Sequence, residues 1–298
     1  MVCCFDQSMN NSVSGTIAMG GHRRLGQDSP LSRLDSPLLA HICSLVDLVV
    51  PDVFGTLAEA LKQACPGQRV FLRQGEYTVG ATDAKSGHVG AKGADTVLHV
   101  SGSRVRITGE PGTVLRGMLV LADGSSGHID GVRIVDAGDC CVRALGGEWE
   151  FSSCHLQCGH AASIRAVGSS KISLVGCRLG GEEPSRKVIR QHEAYGSIQE
   201  FGMSKRACYG LLMKEESQAE ARGCVISHCS EAAVFISGSA SVRLGGCRLQ
   251  ESETAFVSGY GRGLALEVES TQITSVRSIW FDSDRPLRCT WDPQPPAA

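Results

Sequence analysis

One pattern constrains this chain more than any other: an apolar residue, two spacers, an anchor, one further residue and an aliphatic, recurring about every 23 positions. The anchors are Val132, Cys154, Cys177, Phe201, Cys224, Cys247 and Thr271. Three positions before them stand Ile129, Phe151, Leu174, Ile198, Ala221, Leu244 and Val268, and two positions after them Ile134, Leu156, Leu179, Met203, Ile226, Leu249 and Ile273. Further along each copy come Val142, Ile164, Val188, Leu211, Val234, Val257 and Phe281. A unit this short cannot bury its own apolar face, so its copies must stack and share one long core.

The spacing inside each copy decides which kind of stack forms. A single polar or charged residue separates Trp149 from Phe151, Ile172 from Leu174, Val242 from Leu244 and Leu266 from Val268. That alternation belongs to short strands with one buried face, not to helical repeats of 3.6-residue spacing. Glycine and serine mark the turns between them, as in Gly146-Gly147, Gly168-Ser169-Ser170 and Gly238-Ser239. The expected fold is all-β, a single right-handed parallel β-helix of about 23 residues per coil. Few aromatics, 5%, beside 36 glycines suit narrow coils with tight turns.

A helix should precede the coils. Phe54, Leu57, Ala58, Leu61 and Ala64 share one helical face, and Pro66-Gly67 stops it. A β-helix has an open apolar end, and this N-terminal helix is placed to cap it. Arg69 to Leu72 would start the first strand, with an irregular coil from Val105 to Leu121 and a loop over 81–94. The β-helix with its cap should therefore occupy 51–283, behind a disordered tail over 1–33 and a short helix within 34–50. Residues 284–298, with Pro293, Pro295 and Pro296, read as a C-terminal tail.

Gly176-Cys177-Arg178-Leu179, Gly223-Cys224-Val225-Ile226 and Gly246-Cys247-Arg248-Leu249, with the segment from Phe54 through Gly75-Glu76-Tyr77, carry a resemblance. The chain resembles pectin-lyase-like β-helix proteins, especially the non-enzymatic branch found in some F-box-only proteins. The resemblance covers roughly residues 50 to 283 and implies an architecture more than a chemistry. Leu34 to Val46 looks like the first helix of an F-box, which would imply a ubiquitin-ligase substrate receptor. An amphipathic helix packing through Leu38, Leu39, Ile42, Leu45 and Val46 accounts for the same residues.

Charge and cysteine usage narrow the setting. A net charge of −2 favours neither nucleic acid nor an anionic membrane surface. No apolar stretch approaches a membrane span and no export signal opens the chain, so a cytoplasmic monomer is expected. Cys3-Cys4 lacks a lipidation consensus. Fourteen cysteines show no paired C-x-x-C spacing for zinc, and a reducing compartment argues against disulfides. Cys154, Cys177, Cys224 and Cys247 instead read as buried thiols in two short files broken by Phe201, and no metal or cofactor is expected.

The residues just after the anchors are the candidate surface. Arg133, His155 and Arg178 follow three consecutive anchors, Gly202 and Val225 interrupt, and Arg248 and Gln272 continue. Arg143 and Arg165 repeat the pattern on the next strand. Arginine pairs bidentately with carboxylate, so Arg133, His155, Arg178, Arg143 and Arg165 are candidate ligands for a protein partner or an acidic polysaccharide. A solvated face with Glu148, Glu150 and Asp136 as partners is the simpler alternative. A carbohydrate-active enzyme would need outward acids on neighbouring coils, whereas Asp136 and Asp139 are the one close pair near the strip and fit a turn. A non-catalytic binding or scaffold module is thus the expectation.

Overall fold

The computed structural model describes residues 46–79, 97–135, 137–181, 207–252, 255–261, 263–274, 280–283 and 288–291. The chain winds through three parallel sheets, A, B and C, visited in that order in each coil, for about eight turns of a right-handed solenoid. One coil runs Glu148–Ser152 in sheet A, His155–Gln157 in sheet B and Ala162–Ala166 in sheet C. The next begins at Lys171–Val175, pairing in register with the strand before it. Near the C-terminal end a single long strand, Ala265–Thr274, serves both A and B.

Register turns the sequence pattern into a core. In sheet A, Ile129, Phe151, Leu174, Ala221, Leu244 and Val268 lie opposite one another on successive rungs. Ile134, Leu156, Leu179, Ile226, Leu249 and Ile273 do the same in sheet B, and Val142, Ile164, Leu211, Val234 and Val257 in sheet C. All but Ile273 are buried, and together they form one continuous cluster. Trp149 joins it with its Nε1–H donating to Ser125 Oγ at 3.0 Å. Its ring needs glycine beneath it, because a Cβ on Gly127 would lie 2.6 Å from the indole.

The repeat anchored at Phe201 contributes no rung. Lys171–Val175 pairs directly with Gln218–Arg222, and Arg178–Gly180 with Val225–Ser227, so Cys177 stacks on Cys224. Phe201, Ile198, Met203 and Val188 lie outside the described residues. The stacked anchors share a corner between sheets A and B. Gly131, Ser153, Gly176, Gly223, Gly246 and Ser270, the residues before the stacked anchors, all take positive φ, from 46° at Ser270 to 68° at Gly131. Glu200 stands at that place before Phe201. At the stacked anchors a left-handed glycine or serine makes the corner.

With that copy removed, the thiols form one unbroken file rather than two. Cys154 Sγ donates to the Ser152 and Ile129 carbonyls at 3.2 and 3.4 Å, Cys177 to Phe151 at 3.3 Å, Cys224 to Leu174 at 3.6 Å and Cys247 to Ala221 at 3.3 Å. Thr271 Oγ1 continues the file with a 3.0 Å bond to the Glu269 carbonyl. Cysteine suits the position as a small apolar side chain that still carries a weak donor.

Both ends differ from expectation. Leu48–Val50 (β1) is a strand, not the end of a helix over 34–50, and pairs with Arg69–Leu72 (β2). Its alternating burial and β-branched valines favour the extended state. The helix Leu57–Gln63 (α1) lies between β1 and β2 in sequence and packs on both, burying Leu57 and Ala60. Thr56 and Glu59 form a capping box with two bonds of 3.2 Å. The chain also re-enters the stack beyond 283: Arg288–Trp291 pairs with Ala265–Thr274, so 284–298 is not wholly a tail. The F-box-like segment 34–45 and the tail 1–33 lie outside the described residues.

Candidate functional site

The strands of sheet B are short, with a central aliphatic pointing inward, so the residues flanking it face out. Pairing sets one outward column: Glu76, Val114, Arg133, His155, Arg178, Val225, Arg248 and Gln272 on consecutive rungs. Arg133, His155 and Arg178 are thus neighbours, as their spacing predicts. Removal of the Phe201 copy brings Val225 directly beside Arg178, so Arg248 stands two rungs from Arg178 and arginine occupies every second rung from Arg133 to Arg248.

Little neutralises these arginines. Arg133 Nη2 donates to Gln157 Oε1 at 2.5 Å. Arg178 and Arg248 are exposed and make no ion pair with another described residue. Acids at the margins of the same face are engaged: Glu76 with Arg116 at 2.9 Å and Glu251 with His228 at 2.7 Å. Burial, then the charges of Arg133 and Arg178, lower the pKa of His155 below its ordinary value. The imidazole is therefore neutral at neutral pH, and the positive field comes from the guanidinium groups.

Arg143 and Arg165 sit around the corner, on the outside of sheet C. They face one another on adjacent rungs, flanked by Val120 and Leu212, both buried. Their Nε atoms are enclosed without a hydrogen-bond partner. Arg165 Nη1 lies 3.6 Å from Asp139 Oδ2, longer than a charge-assisted hydrogen bond. Along the same column Phe235 packs on Tyr209 and Tyr260, with ring centroids 5.0 and 5.7 Å away. The five candidate residues thus fall on two faces, and Asp136 lies outside the described residues.

Sheet A holds an open trough of about 1080 Å³ lined by Glu148, Glu150, Lys171, Glu220, Arg243 and Glu267. Its charges are largely paired: Lys171 Nζ with Glu148 at 2.6 Å, Arg243 with Glu267, and His128 with Glu150 at 3.4 Å. Concavity and uncompensated charge therefore mark different faces. On an open surface, arginines without acid partners present donors to a ligand at no cost in broken ion pairs.

The thiols of the file do not respond alike: contact with Cys177 lowers the pKa of Cys154, while its neighbours are pushed the other way. Contact with the Cys154 thiol, followed by burial, pushes Cys177 up to about 12, and contact with Cys177 holds Cys224 at about 11. Neither is ionised at neutral pH, the form needed for attack or metal ligation. Among the described residues no group of three or more His, Cys, Asp or Glu could hold a metal ion, and no helix is long and apolar enough to cross a membrane.

No curated protein matches this chain. One similar solved structure is ORF18 of Geobacillus virus E2, at 10% identity over 83% of this chain, with a TM-score of 0.31. The match spans 63% of that protein's length and is too distant to bear on function. Residues 118–277 match the family described as the right-handed beta helix region. That match takes in more than half of the chain, with the thiol file and the arginine column inside it, so this chain belongs to the right-handed β-helix family.

Proposed function

We propose that this protein is a non-catalytic binding or scaffold module whose working face is the outside of sheet B, and whose partner presents carboxylates from a protein or an acidic glycan. The observation that supports it most is the column Arg133, Arg178 and Arg248, of one sign and without acid partners among the described residues, beside a sheet whose charges are paired. Binding to polyglutamate and to polygalacturonate, measured with the full chain, tests the reading. Saturable, salt-sensitive binding that Arg133→Ala/Arg178→Ala weakens supports it, and undiminished binding by that variant overturns it.

A second reading rests on the trough of sheet A. Glu150 and Glu220 stand two rungs apart there with Ser173 between them, a separation of roughly 10 Å between backbones. That lies near the upper limit for two carboxylates flanking a hydrolytic water. Release of reducing ends or unsaturated uronate from polygalacturonate, lost in Glu150→Gln, would establish this enzymatic reading and displace the first.

A further inference from the structure

The arginine column has a period as well as a sign. Arg133, Arg178 and Arg248 stand on rungs separated by His155 and Val225. Hydrogen-bonded strands lie about 4.8 Å apart, so successive arginines repeat every ~9.6 Å along the solenoid axis. A ligand that satisfies all three must offer acidic groups on one side at that interval. An extended strand presents same-side groups every ~6.7 Å and falls out of step at once. An α-helix offers its nearest same-face match after seven residues, at ~10.5 Å, and drifts by nearly 2 Å over the three sites. A polyproline II helix returns to the same face every three residues, ~9.3 Å, and stays within about 0.6 Å over the column.

The rungs between the arginines fit the same ligand. His155 is half-buried and Val225 partly exposed, and neither carries charge at neutral pH, so each offers an uncharged platform for the two residues between acids. Ser227 and Gln250 stand alongside, one residue past the inward aliphatics, on the strands Val225–Ser227 and Arg248–Gln250. Their donors face a backbone whose carbonyls have no internal hydrogen bonds in polyproline II. Building on the sheet B reading, we infer that this face docks an acidic peptide in the polyproline II conformation, lying along the solenoid axis, with Asp or Glu at every third residue.

The test compares fluorescent peptides of equal length and net charge by anisotropy with the full chain. One carries Asp at every third position with Pro-Pro between, one carries Asp at every second position, and one gathers its Asp residues in a block. Oligogalacturonate serves as competitor. The expected result is about tenfold tighter binding of the every-third peptide, about tenfold loss in Arg178→Ala and retention of the wild-type melting curve. Equal affinity for all peptides, preference for oligogalacturonate, or no binding overturns the inference. If all peptides bind equally yet weaken together in Arg133→Ala/Arg178→Ala/Arg248→Ala, the periodic ligand is wrong while the sheet B face stands. If the triple variant changes nothing, both fail.

Discussion

The outsides of sheets A and B are built by the same coils and differ in how they handle charge. On sheet A, acids and bases lie side by side in the columns, so His128, Lys171 and Arg243 each meet a glutamate on a neighbouring coil. On sheet B the corresponding column repeats arginine, with neutral residues between, and the histidine it encloses has a pKa lowered by burial and then by those arginines. Cross-strand pairs of opposite sign support a sheet, and like charges close together oppose it. Sheet A spends its charged residues on its own coils. Sheet B leaves its arginines without acid partners among the described residues, and that difference is what the proposed binding face rests on.

The sharpest way to break this comparison is to break the corner that sets both faces. Cys177 is fully buried in the file between sheets A and B, so Cys177→Arg should cost roughly 3 kcal/mol or more by burying an unpaired charge. Unchanged thermal or denaturant unfolding would show the corner to be misplaced. Next in size is the N-terminal end: Leu57→Asp with Leu61→Asp should uncover the strands beneath α1, lowering the melting temperature and promoting association. Light scattering that shows a monomer of wild-type stability would remove the helix from that role.

The two faces should then separate in binding. Arg133→Ala/Arg178→Ala is expected to weaken an acidic polymer by about 2 kcal/mol with folding intact, and the loss should shrink as salt rises. Lys171→Ala/Arg243→Ala on sheet A should leave that binding nearly unchanged, and an equal loss in both variants would reduce the effect to net charge. The smallest effect is at His155. Its folded pKa is lowered, so on acidification the unfolded chain takes up the proton first, and stability present above the ordinary value near 6.5 is lost below it. NMR titration should find its pKa raised part-way in Arg133→Gln/Arg178→Gln, because burial, the larger cause, remains; an unmoved pKa would place the arginines too far away to matter.

Much of the fold was legible because each coil repeats the same demand: an aliphatic inward in sheets A, B and C at fixed distances from the corner. Val132, Cys154 and Cys177 stack as their spacing predicts, and so do Cys224, Cys247 and Thr271, while the two runs join directly where Phe201 was expected between them. Phe201 deceived the periodicity because it has the right distance and the right apolar neighbours. Nothing in its own repeat positions set that copy apart. Leu48–Val50 was missed because three residues of strand carry too little pattern to be told from a helix end. For the site, adjacency of Arg133, His155 and Arg178 followed from the repeat. The place of Arg248 depended on knowing which copy drops out, and the separation of Arg143 and Arg165 depended on where the chain turns between sheets B and C.

The copy that drops out also changes how the molecule assembles. Thiol-to-carbonyl bonds along the file span 26 residues at Cys177 and at Cys247 but 50 at Cys224. Every other junction in the file closes a loop of one coil, and this one closes a loop nearly twice as long, at an extra entropic cost of about 0.6 kcal/mol for the doubling. In a solenoid whose coils touch only their neighbours, folding spreads from rung to rung and slows where the next contact is farthest along the chain. The junction between Cys177 and Cys224 is therefore the natural seam between an N-terminal and a C-terminal block, and the docking face proposed for sheet B is completed only when that seam closes.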